Sequence, residues 1–198
     1  MNKPILFDLP VPIITPRLLL RPPHARDGKA LNDAVIESFE HLNQWMVWAQ
    51  EKPSVDDSEI YVRTSHAEWI LRQQLVLLIF DRSTNMLLGS TGFHAIKWDE
   101  SSFEIGYWIR SSCTNQGIAT EATHAQLIYA FKHIKAARVQ IKCNNENTAS
   151  KRIPEKLGFT LEGILKNKEF NYHTKSASDT AEYARYDLQG LPHLEVNW

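Results

Sequence analysis

The feature that most constrains the fold is a strand, a small-residue loop and a helix in immediate succession. Phe103-Glu-Ile-Gly-Tyr-Trp-Ile-Arg110 is β-like, Asn115-Gln116-Gly117-Ile118-Ala119-Thr120 is a loop, and Glu121 to Lys132 has helical spacing. The first turn of a helix carries backbone N–H groups with no intrahelical acceptor. Small loop residues let a ligand reach them, and with the helix dipole they suit a pyrophosphate. The succession predicts an α/β chain and a place for a phosphorylated cofactor. A nucleotide P-loop is excluded, because no Gly-x-x-x-x-Gly-Lys string followed by Ser or Thr occurs. A dinucleotide fingerprint needs three spaced glycines, and only Gly117 is in place, with Ala119 two residues on. An ordinary tight strand-to-helix connection has the same spacing, so the loop alone leaves the ligand open.

The rest of the chain alternates in the same way. Residues 1–16 are proline-rich and expected to run extended, and Leu18 to Arg21 is a first strand. Ala25 to about Met46 is a helix with Leu31, Val35, Phe39 and Leu42 on one face. Pro53 breaks it, and Ser54 offers a cap for a second helix through Trp69 and Leu71. Leu75 to Phe80 is a buried strand, Asp81 to Asn85 a turn, and Leu87 to Trp98 the hairpin partner. The helix after the loop runs to about Ile134, and Arg138 to Cys143 alternates like a half-exposed strand. Thr148 to Leu157 is a helix with Gly158 as its C′ residue. Phe159 to Leu165 and Ala181 to Leu188 close the sheet, with a polar loop over residues 171–180. The sum is a single α/β (α+β) domain with one mixed, mostly antiparallel sheet flanked by helices.

Charge and composition remove several classes of function. A formal net charge of -1 gives no field to steer a polyanion, so nucleic acid is not an expected partner. No run reaches the roughly 20 apolar residues of a membrane span, and no signal peptide is visible. Cys113 and Cys143 form no disulfide framework, which fits a reducing compartment, and a cytoplasmic protein is expected. The eight histidines show no zinc spacing, so no metal is expected.

Two further strings follow the loop in order: Cys143-Asn144-Asn145-Glu146-Asn147-Thr148-Ala149-Ser150, then Glu155-Lys-Leu-Gly-Phe159. With Thr114 to Ala119, this order resembles the GNAT superfamily of acyl-CoA N-acyltransferases. Thr15-Pro-Arg-Leu-Leu-Leu-Arg21, His41-Leu-Asn-Gln-Trp-Met-Val-Trp48, Ile105-Gly-Tyr-Trp-Ile109 and Phe159-Thr-Leu-Glu-Gly163 look most like its RimJ/RimL type, the ribosomal-protein N-terminal acetyltransferases. Residues 1–14 then read as an N-terminal extension of a domain spanning 15–198. The resemblance implies acetyl-CoA as co-substrate and strands that splay at its site. Freed backbone groups of Trp108 and Ile109 would hold the pantetheine and the acetyl carbonyl. Gln116, Gly117, Ile118, Ala119 and Thr120 would take the pyrophosphate. Asn144 and Asn147 would bind pantetheine amides, although Asn147 is equally a helix cap. Thr114 departs from the family's loop, which has a basic or amide residue there. The implied acceptor is a protein N-terminus, with a small amine (polyamine, amino acid or antibiotic) as the alternative. A non-catalytic acyl-CoA-binding module is the third reading. The resemblance admits a homodimer, and composition does not decide it.

The chemistry asks for a base and an acid. An α-amine titrates near about 7.7–8.0 and a lysine amine near about 10.4, so an N-terminal acceptor needs the lesser help. A thiol leaving group of pKa about 8.5 needs only a weak proton donor. Many GNAT enzymes supply a tyrosine from the helix after the asparagine, but Pro154 holds that position here. In the ribosomal-protein-serine acetyltransferase branch a serine of Asn-x-x-Ser serves instead, which is Ser150, and a glutamate ten residues beyond the phenylalanine serves as base, which is Glu169. The resemblance therefore implies Glu169 as general base through water and Ser150 as proton donor to the CoA sulfur. A surface carboxylate and a first-turn serine are the plain readings of the same residues.

Pro154 cannot donate to the carbonyl four residues back, so the Ser150 C=O is expected to be open, or the kink to have no role. Glu104 is weighed as an acceptor contact against a sheet-face charge, Cys113 as an acyl nucleophile, and His173 as an aid to Glu169. Trp45, Met46, Trp48 and Trp69 are core residues by default and acceptor-groove residues by the resemblance.

Overall fold

The structure is a computed structural model that describes residues 3–198. Its sheet has eight strands: β1 (Ile13–Ile14), β2 (Leu18–Arg21), β3 (Leu75–Asp81), β4 (Leu87–Lys97), β5 (Ser102–Ile109), β6 (Arg138–Asn144), β7 (Thr160–Asn171) and β8 (Ser176–Arg185). They lie in the order β1-β2-β3-β4-β5-β6-β8-β7. All neighbours are antiparallel except β5 and β6. Four α-helices are present among the described residues: α1 (Gly28–Trp45), α2 (Val55–Leu71), α3 (Ile118–Tyr129) and α4 (Thr148–Lys156). Ser54 caps α2 as expected, accepting from Asp57 N while Asp57 accepts from Ser54 N at 2.9 Å.

Strand β3 shows why its sequence is apolar without interruption. Leu75, Leu77 and Ile79 enter one cluster of buried side chains, while Leu78 and Phe80 enter another. Alternate side chains point to opposite faces, so a strand covered on both sides is apolar at every position. Ala122, Ala125 and Tyr129 of α3 pack into the first cluster, and Leu31, Val35 and Val62 of α1 and α2 into the second. Leu9 and Ile13 are buried in the first cluster, and Ile14 bridges to Asn197.

The two expected closing strands are longer than their apolar runs. Strand β7 continues to Asn171 and β8 starts at Ser176, so the expected polar loop over 171–180 is mostly paired strand. The reason is exposure. Strand β7 is an edge exposed along most of its length, so its far half carries no apolar run, and backbone pairing with β8 extends it. Asn171 Oδ1 closes the tight turn, accepting from His173 N at 2.9 Å and Thr174 N at 3.0 Å.

Candidate active site

The parallel pairing of β5 and β6 is short. It runs from Ser102 opposite Arg138 to Glu104 opposite Gln140 and then stops. Beyond that point β5 stays with β4 as far as Ile109, and β6 stays with β8 as far as Asn144. The sheet therefore opens into a wedge between Ile105–Ile109 and Ile141–Asn144. Arg110 N donates to Leu88 O at 2.7 Å. Antiparallel alternation then turns the backbone groups of Trp108 into the β4 ladder and those of Tyr107 and Ile109 toward the wedge. The Ile109 backbone groups thus face the wedge, while those of Trp108, expected there too, pair with β4, and the Trp108 ring lies tilted 6.2 Å from Trp48.

The loop after β5 is held at both ends. Arg110 Nε and Ser112 N donate to Glu37 of α1 at 2.6 and 3.1 Å. The Ser112 hydrogen bond first, with help from Arg110, keeps the Glu37 carboxyl below the usual carboxylate range. At the far end Glu121 accepts from Thr15 Oγ1 and Arg17 Nε, each at 2.6 Å, and Arg17 Nη1 donates to Gln116 O at 3.0 Å. Gly117 turns the chain into α3 at φ 76°, a left-handed conformation that glycine adopts without strain. No side chain caps the helix, and the first bonded N–H is that of Glu121, to Gly117 O at 2.9 Å. The N–H groups of Ile118, Ala119 and Thr120 are left for a ligand. Beside them, the Gln116 carbonyl is held by Arg17 and its side chain donates to Ser112 O at 3.3 Å.

On the other side of the wedge, Asn147 caps α4, accepting from Ser150 N at 3.0 Å. The cap uses Oδ1 and leaves the amide nitrogen as a donor. Asn144 Oδ1 accepts from Glu146 N at 2.9 Å, which spends its acceptor on the turn. The Ser150 carbonyl, which Pro154 cannot bond, takes the Tyr107 hydroxyl at 3.1 Å, and Ser150 Oγ lies 3.2 Å from the same phenol oxygen. Tyr107 was missed from sequence. The signal was there, since a carbonyl without its helical donor needs another. Burial pushes the Tyr107 phenol well above its ordinary range and, foremost among its causes, also raises the Cys143 thiol.

Glu169 comes from β7, and its neighbour Phe170 packs edge-on against Tyr172. His173 does not assist Glu169; its Nδ1 lies 3.0 Å from Asn43 Oδ1. Glu104 is a sheet-face charge, paired with Lys142 at 3.0 Å. Cys113 is buried beside Ser112 Oγ at 3.6 Å, with no histidine partner among the described residues. Trp45, Met46 and Trp48 border open space, Met46 also packing against the cluster of Leu31 and Val35, while Trp69 is core.

Two cavities meet here. One of about 600 Å³ lies beside α1, α2 and β7 and is lined by Trp48, Cys143, Asn144 and Glu169 among others. The second, about 570 Å³, lies toward α3 and α4 and is lined by Ile109, Gly117, Ile118, Ala119 and Thr120. Trp45, Met46, Tyr107, Trp108, Asn147 and Ser150 belong to both. Their shared wall is the opened wedge. Among the described residues no helix is long and apolar enough to cross a membrane, and no three His, Cys, Asp or Glu are grouped to hold a metal ion.

The model of a family described as an acetyltransferase (GNAT) domain matches residues 17–160. The chain is 31% identical over 156 residues to the putative ribosomal N-acetyltransferase YdaF of Bacillus subtilis (strain 168), covering 76% of this chain and 79% of that one. It is 30% identical over 145 residues to the ribosomal-protein-serine acetyltransferase of Escherichia coli (strain K12), covering 72% and 78%. Among solved structures, RimL, a ribosomal L7/L12 alpha-N-protein acetyltransferase in complex with coenzyme A, superimposes with a TM-score of 0.82 at 27% identity, over 91% of this chain and 98% of that one.

Proposed function

The chain belongs to the GNAT acetyltransferase family and is an N-acetyltransferase, and on that premise we propose that it moves acetyl from acetyl-CoA to the α-amine of a protein N-terminus, in the first instance a ribosomal protein's. The observation that carries this reading is the junction of two cavities across the wedge. A thioester donor entering from the α3 side and an amine entering from the α1–α2 side meet there and react directly. The free N–H groups of Ile118, Ala119 and Thr120 suit a pyrophosphate, with Gly117 as the turn that exposes them. The Asn147 amide and the Ile109 backbone suit the pantetheine and the acetyl carbonyl, and Asn144 lies beside them on the acceptor side.

The carboxylates that line the acceptor cavity are Asp57 and Glu169. Asp57 is committed to the α2 cap. One uncommitted carboxylate suits one reacting amine, whereas a polyamine would ask for several. This inventory favours the N-terminal acceptor over a polyamine.

In the proposed reaction the amine nitrogen bonds to the thioester carbonyl carbon as the C–S bond breaks and its electron pair leaves on sulfur. One amine proton passes through water to Glu169. Sulfur takes the Ser150 hydroxyl proton, and water returns the proton on Glu169 to Ser150. The products are the amide and the CoA thiol, with the enzyme restored. The test is CoA-thiol release from acetyl-CoA against peptides beginning with Ser, Ala and Met, each with a free or a blocked α-amine, beside small polyamines and amino acids. Turnover on a peptide that disappears when its α-amine is blocked is expected. Turnover confined to the small amines overturns the acceptor.

A further inference from the structure

We propose that Tyr107 is a positioning residue for Ser150 and that Pro154 makes room for it: the phenol supplies the hydrogen bond that the helix withholds from the Ser150 carbonyl. The inference rests on the reading of Ser150 as the proton donor to sulfur.

In an α-helix the carbonyl of each residue accepts from the N–H four residues on. For Ser150 that residue is Pro154, which has no N–H and lies buried. The vacancy is filled from across the wedge by the Tyr107 hydroxyl, 3.1 Å from the carbonyl and 3.2 Å from Ser150 Oγ. Ser150 is thus held at three points, since its N–H also donates to Asn147 at 3.0 Å. Nitrogen, carbonyl and hydroxyl of one residue are all anchored, and the hydroxyl is kept in the wall that both cavities share.

A tyrosine has one phenolic proton. Given to the carbonyl, it leaves the phenol oxygen to accept from Ser150 Oγ while the site waits. When thiolate forms, the Ser150 hydroxyl exchanges the phenol oxygen for sulfur. Burial keeps Tyr107 a neutral phenol throughout, so it orients Ser150 rather than titrating beside it. The same strand also ties the two sides of the wedge together, because Tyr107 belongs to β5 and Ser150 to α4.

The experiment is a double-mutant cycle with Tyr107→Phe and Ser150→Ala, following kcat and the KM for acetyl-CoA on whichever acceptor turns over, with acetyl-CoA affinity measured by calorimetry to verify folding. Tyr107→Phe is expected to lower kcat by between about tenfold and a hundredfold, the effect of a misplaced group, with KM unchanged. The double variant is expected to equal Ser150→Ala alone. Tyr107→Phe with wild-type kcat overturns the proposal. An equal further loss in the Ser150→Ala background also overturns it, for Tyr107 would then act on the sulfur itself. Ser150→Ala with wild-type kcat overturns the role of Ser150 and is distinguishable from both. Pro154→Ala restores an N–H that competes with Tyr107. It is expected to lower kcat without lowering Tm, and an unchanged kcat refutes the part given to Pro154.

Discussion

Replacing Glu121 by alanine tests how the start of α3 is held in front of its ligand. The Glu121 side chain is 11% exposed and accepts from Thr15 Oγ1 at 2.6 Å, Arg17 Nε at 2.6 Å and Arg17 N at 3.3 Å. The Arg17 side chain is 51% exposed, so solvent screening limits that ion pair to about 0.2–1 kcal/mol. Thr15 is buried, and without Glu121 its hydroxyl oxygen still accepts from Leu18 N at 2.9 Å, while its proton keeps only a 3.5 Å contact to Leu18 O. Leaving such a donor unsatisfied costs about 1–3 kcal/mol. The two contributions together come to about 1–4 kcal/mol. In a chain of this size each kcal/mol moves Tm by about 2–4 °C, so a fall of about 2–16 °C is expected. Arg17 also loses the partner that holds it on Gln116 O, and the loop before Ile118 loosens. The KM for acetyl-CoA is therefore expected to rise while kcat at saturating acetyl-CoA stays near wild type. Thermal melting and initial-rate kinetics check both. A Tm within about 2 °C of wild type would refute the energetics. A lower kcat with unchanged KM would refute the role of the clamp.

Glu169→Gln is expected to lower kcat by about 10²–10⁴; a full kcat between pH 6 and 9 sinks the base assignment. Asn147→Ala removes the α4 cap and should cost about 1 kcal/mol of stability while raising the KM for acetyl-CoA. Asn147→Asp keeps the cap oxygen and loses the amide N–H, so it should recover Tm without recovering KM; recovery of both would argue against an amide contact. Burial, ahead of the charges around them, lowers the pKa of His94 and His124 in the folded chain. The unfolded chain therefore binds more protons once pH drops below about 6.5, so stability is full above that pH and is lost as pH falls through it. Melting scans should give a steady Tm from pH 8 to 7 and a decline toward pH 5, and a flat profile to pH 5 would contradict this.

Several local features were legible because they depend on near neighbours in the chain. The Ser54–Asp57 capping box follows from residues three apart, and Gly117 and Gly158 mark backbone turns that need positive φ. The apolar run of β3 is explained by burial on both faces, and the helix start after Asn115 by its loop. The true length of β7 was not legible. On an open edge the hydrogen bonds to β8 extend the strand, and those depend on residues such as Ser178 opposite Glu169 rather than on its own sequence. The positions of Glu169 and Ser150 were read from a resemblance, and periodicity carries no trace of their common cavity.

By itself, then, the sequence determined the elements, their caps and turns, and the free N–H groups at the start of α3, since each is a matter of a few adjacent residues. Tertiary structure alone decided three things. It ended the β5–β6 pairing after Glu104, turned Trp108 backbone into the ladder and Ile109 into the wedge, and brought the phenol of Tyr107 to a carbonyl that Pro154 had left open. Each depends on register and on contacts between residues distant in the chain, which no local spacing encodes.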